Sequence, residues 1–145
     1  MDLAGVLGIP PRALSLNGSL GLAFGARGTG GKDAAKAHFE PGKVVINLTK
    51  TKGAGSLAHE WFHAVDNHFA RKRGVNLGYV TDGARSPRVM DSDTVRPEVM
   101  EAFRAVRRAI DATQMKARST VLDQLRSKPY WATGIEMNAR AFESY

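Results

Sequence analysis

A five-residue string near the middle of the chain combines the residue types of a hydrolytic metal site. His59 and His63 enclose Glu60, Trp61 and Phe62 in an H-E-x-x-H motif. On a helix, this spacing places both imidazoles on one face, one turn apart, where they can share a metal ion. The neighbouring carboxylate of Glu60 can then take a proton from water at that ion. The motif therefore predicts a Zn²⁺ site with Glu60 as its catalytic base.

The stretch around the motif has the composition of a partly buried helix. Residues 56–70 contain no glycine and no proline, and the basic residues 71–73 followed by Gly74 suit a last turn and its cap. We predict a helix that begins at Gly55 or Ser56 and ends near Arg73. The competing interpretation is an ordinary helix with two half-buried histidines, but the chain has only four histidines and two lie in the motif. Helical spacing predicts an apolar face formed by Ala58, Phe62, Val65 and Phe69.

Composition limits the class of protein. The 145 residues, of which 43% are hydrophobic, suffice for one domain with a real core, so residues 1–145 are predicted to form a single domain. Cysteine is absent, which fits a reducing compartment and restricts zinc ligands to His, Asp and Glu. Structural zinc sites usually employ Cys ligands. A structural site of that kind is therefore excluded for this chain.

Charge and hydropathy bear on location and partners. The chain has neither an apolar run long enough to span a bilayer nor the features of a signal peptide, so we expect a cytoplasmic protein without a membrane partner. The net charge of +7 includes one dense basic run, residues 71–73. Aromatic residues that could stack on bases are not interleaved with it. We therefore interpret the charge as a solvated basic surface, with nonspecific nucleic-acid contact as a secondary property.

The elements before the motif are predicted to be short strands. Residues 1–19 indicate no firm element, and residues 20–25 predict a short strand. The glycine-rich residues 25–32 depart from the phosphate-loop pattern at two positions, so we interpret them as a flexible connection. The Pro41-Gly42 turn between residues 37–40 and 43–49 predicts a hairpin, followed by a loop at residues 49–55. An extended substrate could then hydrogen-bond along the strand at residues 43–49.

Helices are predicted after the motif. Residues 75–96 read as an irregular loop that could cover the site. From Pro97, apolar residues keep near-helical spacing towards residue 125, as one helix or as two with a break at residues 112–120. A last helix is capped by Thr133 with Glu136 in a capping-box pattern. It still continues at Tyr145, which suggests a domain cut from a larger polypeptide with other domains as partners.

The spacing of residues in the sequence does not identify the third metal ligand. Asp66 lies on the same helix as the histidines. A third ligand one turn further along the helix suits a tetrahedral ion poorly. We therefore favour two other roles for Asp66: it orients a ligand histidine, or it makes a contact on the helix surface. Glu136 and Glu143 lie two turns apart on the last helix, and only one of them can bind the same ion. An oxyanion-stabilising donor is also expected, and His68, Tyr79 and Tyr130 are the candidates.

Three segments together resemble a known family. They are residues 45–49, V-I-N-L-T; residues 53–66, G-A-G-S-L-A-H-E-W-F-H-A-V-D; and residues 136–143, E-M-N-A-R-A-F-E. The pattern, from about residue 20 to 145, resembles the zincin-like metallopeptidase domains of phage and conjugative-element polyvalent proteins, known as large polyvalent protein associated domains. Members of the wider group pair H-E-x-x-H with a later E-x-x-A-x-x-F helix, whose first Glu is the third ligand. That pattern falls on Glu136, Ala139 and Phe142, so the resemblance favours Glu136 over Glu143.

The resemblance implies a fold and an activity. It implies an α+β, zincin-like fold in which a small sheet or hairpin packs against the H-E-x-x-H helix, with further helices after it. It also implies a gluzincin-type zinc metallopeptidase acting on a polypeptide in a bacterial cell, delivered with phage or mobile-element DNA to counter host defences. The alternative is a degenerate zincin that serves as a protein-binding or DNA-binding module. Intact Glu60 favours the enzyme, because a structural zinc site does not need that carboxylate.

Overall fold

A three-stranded sheet and six α-helices make up the part of the chain that the computed structural model describes, residues 2–25, 37–49, 56–85 and 94–144. The predicted α+β class is confirmed at this level. A 3₁₀ segment at Val80–Arg85, kinked at Gly83, lies between the third and fourth helices. The strands are β1 Gly21–Phe24, β2 Ala37–Glu40 and β3 Val45–Leu48; the helices are α1 Leu3–Leu7, α2 Pro11–Leu14, α3 Leu57–Lys72, α4 Pro97–Asp111, α5 Met115–Asp123 and α6 Gly134–Glu143.

The strand at the centre of the sheet is β3. It pairs in parallel with β1 and antiparallel with β2, which confirms both the short first strand and the hairpin. Phe39 lies opposite Ile46 in the hairpin register, and both side chains belong to a core cluster that includes Leu48 and Ala64. Alternation along the strands therefore directs one sheet face against α3.

The helix that carries the motif, α3, has the predicted length but buries a different face. Residues predicted to form its apolar face, such as Phe62 and Phe69, are only half-buried. The deepest positions are mostly polar, because the motif face itself points towards the sheet and α6. They are His59, Glu60, His63, Ala64, Asp66, Asn67 and Ala70.

Residues 1–19, for which the sequence indicated no firm element, contain α1 and α2. The Asp2 side chain accepts a hydrogen bond from the Ala4 amide at 3.1 Å, and Gly8 ends α1 with a φ of 62°. Pro11 occupies the first turn of α2. Helices of five and four residues are too short to show a hydrophobic period, so they cannot be predicted from the spacing of apolar residues.

The last three helices lie where the sequence predicted helices, but two boundaries differ. The break between α4 and α5, as the two-helix alternative requires, covers only residues 112–114 instead of 112–120. Helix α6 ends at Glu143 with Ser144 as its C-cap, so the prediction that this helix continues at Tyr145 is wrong. Thr133 caps α6 by accepting a hydrogen bond from the Glu136 amide at 3.3 Å. The side chain of Glu136, however, points to the motif histidines rather than back to the cap.

Three predicted segments fall wholly or partly outside the described residues: the glycine-rich connection at 25–32, the loop at 49–55 and the middle of the loop at 75–96. The described start of the last segment contains the 3₁₀ turn, which packs against both α3 and α6. Over the described ranges, no helix has both the length and the apolar character needed to cross a membrane.

Candidate metal centre

Helices α3 and α6 bring three potential metal ligands into one buried cluster. The Nε2 atoms of His59 and His63 lie 3.1 Å apart. The carboxylate of Glu136 approaches both rings, with Oε2 at 3.5 Å from His59 Nε2 and Oε1 at 3.4 Å from His63 Nε2. All three residues are buried, and one donor atom from each lies within 4.8 Å of the others. This group could hold a metal ion.

The spacing of the donor atoms suits a small tetrahedral cation. Ligand bonds of about 2.0–2.1 Å from a tetrahedral ion place neighbouring donors roughly 3.4 Å apart. The two imidazole nitrogens lie 3.1 Å apart, and each is near a different oxygen of Glu136, His63 at 3.4 Å from Oε1 and His59 at 3.5 Å from Oε2, so every separation is close to that value. Glu136 Oε2 is moreover buried without a hydrogen-bond partner in the described part of the chain. A cation would satisfy this oxygen.

The pKa values in the cluster reflect the proximity of carboxylates and imidazoles. Burial acts to raise the pKa of Glu136, but the hydrogen bonds and charges of His59 and His63 outweigh it and lower the pKa to about 2. Burial opposes protonation of His59 as well, yet the nearby Glu136, Glu60 and Glu143 carboxylates raise its pKa overall. The site therefore has an ionised carboxylate and attracts positive charge.

Glu60 lies in the same cleft as the three ligand candidates. Burial raises its pKa above the ordinary value, while His63, His59 and a hydrogen bond from the backbone of Phe39 act in the opposite direction. A carboxylate of raised pKa is a stronger base than one in water. Glu60 thus lines the cleft with a carboxylate of raised pKa.

The cleft beside the cluster has a volume of about 440 Å³. Helix α3 and the start of α6 form two of its sides, and β2 forms a third. Besides the ligand candidates and Glu60, it is lined by Ala37, His38, Phe39, Tyr79, Tyr130, Thr133 and Ile135.

Two of the three predicted oxyanion donors reach this cleft. Tyr79 lines it, with its ring centroid 6.0 Å from that of His63, and burial raises the pKa of Tyr79 to about 12. Tyr130 also lines the cleft, and its hydroxyl interacts with Glu136. His68 instead lines a separate groove, beside Arg71 and Lys72. The helix places His68 well away from the motif face, so we remove it from the candidates.

Asp66 does not have the position expected for a residue that orients a histidine. It has no exposed surface, so it is not a helix-surface contact either. Its carboxylate accepts hydrogen bonds from the Thr81 amide, at 3.1 Å, and from the Thr81 hydroxyl. Asp66 therefore anchors the 3₁₀ segment to α3, next to Tyr79, and influences His63 only through its charge.

The strand at the cleft is β2. Because β3 pairs with β1 on one side and β2 on the other, its backbone is already used, and the prediction of a substrate along residues 43–49 is wrong. Among the described strands β2 pairs only with β3, and Ala37, His38 and Phe39 line the cleft. The backbone hydrogen bond from Phe39 to Glu60 shows that this edge faces the motif.

Two further residues of α6 lie beside the cluster: Glu143, which the sequence offered as an alternative third ligand, and Arg140, which it did not indicate as part of the site. Glu143 Oε2 lies 3.3 Å from Nδ1 of His59, and Arg140 Nε lies 3.6 Å from Oε2 of Glu136. The Arg140 guanidinium also stacks on Trp131, 3.8 Å from the ring centroid. The seven-residue spacing of Glu136 and Glu143 places both on one helix face, which could have indicated two complementary roles.

No protein family model, curated protein or solved structure matches this chain. The functional assignment therefore rests on the residues and geometry of the site itself.

Proposed function

We propose that this chain is a zinc-dependent metallopeptidase with a zincin-like fold, in which His59, His63 and Glu136 hold the ion and Glu60 is the catalytic base. The observation that carries the proposal is the buried cluster of two imidazoles and one carboxylate, whose nitrogen and oxygen atoms approach to 3.1–3.5 Å, with a second carboxylate in the same cleft. The resemblance to zincin-like domains of polyvalent proteins agrees with it. An assignment to mobile-element counter-defence belongs to the same proposal.

The donor set suits zinc better than the harder cations. Imidazole nitrogen is a good ligand for Zn²⁺, whereas Ca²⁺ and Mg²⁺ prefer sites made of oxygen. Three protein ligands leave one position open, as in catalytic zinc sites. Zinc, when bound, supplies a Lewis acid that polarises a carbonyl group and lowers the pKa of water.

The chain's own groups account for the proton transfers. Glu60 accepts a proton from the attacking water on its carboxylate and delivers it to the nitrogen of the breaking peptide bond. Tyr79 and Tyr130, which line the cleft, are the proposed donors to the oxyanion; the pKa of each is raised by burial, so both hydroxyls keep their protons at neutral pH.

The edge of β2 favours an extended peptide as substrate. Residues 37–39 line the cleft, and an extended chain can add to such an edge through main-chain hydrogen bonds at positions other than the Phe39 amide, which donates to Glu60. Those bonds are independent of side-chain identity. Specificity then depends on the apolar walls, to which Phe39 and Ile135 contribute.

Metal content tests the ligand assignment. Elemental mass spectrometry on the purified protein is expected to find about one zinc per chain. His59→Ala and Glu136→Ala should each lose it, whereas His68→Ala, a matched histidine on the same helix but outside the cleft, should retain it. Wild-type protein that does not retain added zinc would refute the proposal.

Turnover tests the role of Glu60. Glu60→Gln should keep its zinc but cleave a randomised peptide library roughly 10²–10⁴-fold more slowly, because a general base contributes a factor of that order. Glu98→Gln, an exposed position on α4, is the control and should cleave like wild type. Zinc-loaded wild type that cleaves no peptide would instead favour the alternative, a binding module with a zincin-like fold.

A further inference from the structure

The two ring nitrogens of His59 face different carboxylates. Its Nε2 belongs to the ligand cluster, 3.5 Å from Glu136, whereas its Nδ1 lies 3.3 Å from Oε2 of Glu143. The two nitrogens of an imidazole point in divergent directions. Glu143 therefore lies behind the ring and cannot reach the same ion.

Packing fixes the part of α6 that carries Glu143. The ring of the preceding residue, Phe142, lies 5.7 Å from Trp61 and 5.3 Å from Phe62, centroid to centroid. Both partners belong to the motif, so the end of α6 is held against the helix that carries His59. The side chain of Glu143 is 38% exposed, whereas that of His59 is 9% exposed. The carboxylate of Glu143 is thus partly solvated beside a buried ring.

The ordinary alternative for Glu143 is an ion pair with an arginine on its own helix. Arg140, three residues earlier, is the nearest such partner in sequence. Its guanidinium instead stacks on Trp131 and approaches Glu136. His59 is the partner that the described contacts give to Glu143.

We propose that Glu143 is a positioning residue for the metal centre. It accepts a hydrogen bond from Nδ1–H of His59, selects the tautomer that presents the Nε2 lone pair to the ion, and holds the ring in that orientation. His63 has no equivalent, because its Nδ1 is buried without a hydrogen-bond partner among the described residues. The inference rests on the proposed zinc site and adds one residue to it.

Zinc affinity provides the test. Competition with a chromophoric chelator would compare wild type with Glu143→Ala, Glu143→Gln and the charge-matched control Glu98→Gln. Glu143→Ala should bind about 10–100-fold more weakly, the usual effect of losing such a partner. Glu143→Gln should recover most of the affinity, because its amide oxygen can accept the same hydrogen bond. Glu98→Gln should match wild type.

The outcomes separate the two proposals. Wild type that takes up no zinc overturns the proposed function, and this inference with it. Wild type that binds zinc with an affinity unchanged in Glu143→Ala overturns the inference alone. Equal loss in the Ala and Gln variants also overturns it, because orientation would then not be the cause.

A spectroscopic measurement covers the case in which the alanine variant does not fold. Long-range ¹⁵N–¹H spectra of zinc-loaded wild type should show the proton of His59 on Nδ1. A proton on Nε2 would contradict the proposed orientation directly.

Discussion

Replacement of Asp66 by asparagine should remove the contribution of this buried carboxyl group to the pH dependence of folding stability in the mildly acidic range. The side chain has no exposed surface, and it accepts hydrogen bonds from the amide and hydroxyl of Thr81 and from the backbone of Val80. Burial raises its pKa from 3.8 to about 6, although the hydrogen bonds from Thr81 act in the opposite direction. The folded protein therefore holds the proton of Asp66 more tightly than the unfolded chain does.

The sign and size of the effect follow from that difference. The contribution is fully present below the unfolded pKa of 3.8 and is lost as the pH rises through about 6. A shift of about 2 pKa units corresponds to about 3 kcal/mol in the free energy of unfolding. The amide of the Asp66→Asn variant does not titrate, yet its oxygen can accept from the Thr81 amide and its nitrogen can donate to the Thr81 hydroxyl.

Urea unfolding of metal-free protein, from about pH 4 to about pH 8, measures this effect. We expect the Asp66→Asn variant to gain about 3 kcal/mol relative to wild type across that range. Asp111→Asn is the control, because Asp111 is exposed on α4 and only pairs with Arg107 at 3.9 Å. The lowered pKa of Glu136 has the opposite sign but acts below its ordinary value of 4.5, and it cancels in the comparison. A wild-type-to-variant difference that stays constant with pH would refute the reasoning.

Three further substitutions test the supports of the site. Gly134→Ala should destabilise the fold by about 1–3 kcal/mol in urea unfolding, because its Cβ would clash with the Thr81 carbonyl oxygen; a gain in stability would contradict this packing. Ile46→Ala, at a core position that is 1% exposed, should cost about 2–5 kcal/mol in the same assay, and a cost below that of Ile46→Val would argue against a central β3. Asp123→Ala should speed amide hydrogen exchange at residues 130–132, whose three amides donate to its carboxylate at 2.9–3.0 Å; unchanged exchange would show that another contact holds the turn.

Local signals in the sequence predicted most of the described elements. The Pro-Gly turn located the β2–β3 hairpin, the motif helix ends close to the predicted residue, and Thr133 caps α6 as its spacing indicates. These features depend on neighbours within a few residues along the chain, where turn chemistry and capping act. The short helices α1 and α2 were missed for the same reason, because they span too few residues to produce a pattern.

Side-chain roles that depend on distant partners could not be predicted in this way. Asp66 has a helical spacing from His63 that suggests a role at the metal, but the 3₁₀ segment supplies Thr81 as its partner instead. His68 has a side chain that could donate to an oxyanion, but it lies on a different face of the helix from the motif. The order of the strands in the sheet also cannot be predicted from local sequence. Because β1 pairs in parallel with β3, β3 is the central strand and β2 lies at the cleft.

By itself, the sequence determined the chemistry available to this protein: two histidines and a glutamate at fixed helical spacing, with no cysteine to make another kind of site. Only the tertiary structure decided how the two glutamates of α6 divide their roles. The packing of α6 on α3 puts Glu136 in front of the His59 ring and Glu143 behind it. Residues more than seventy positions apart meet there, and their meeting depends on how the two helices pack, which no local pattern in the chain specifies.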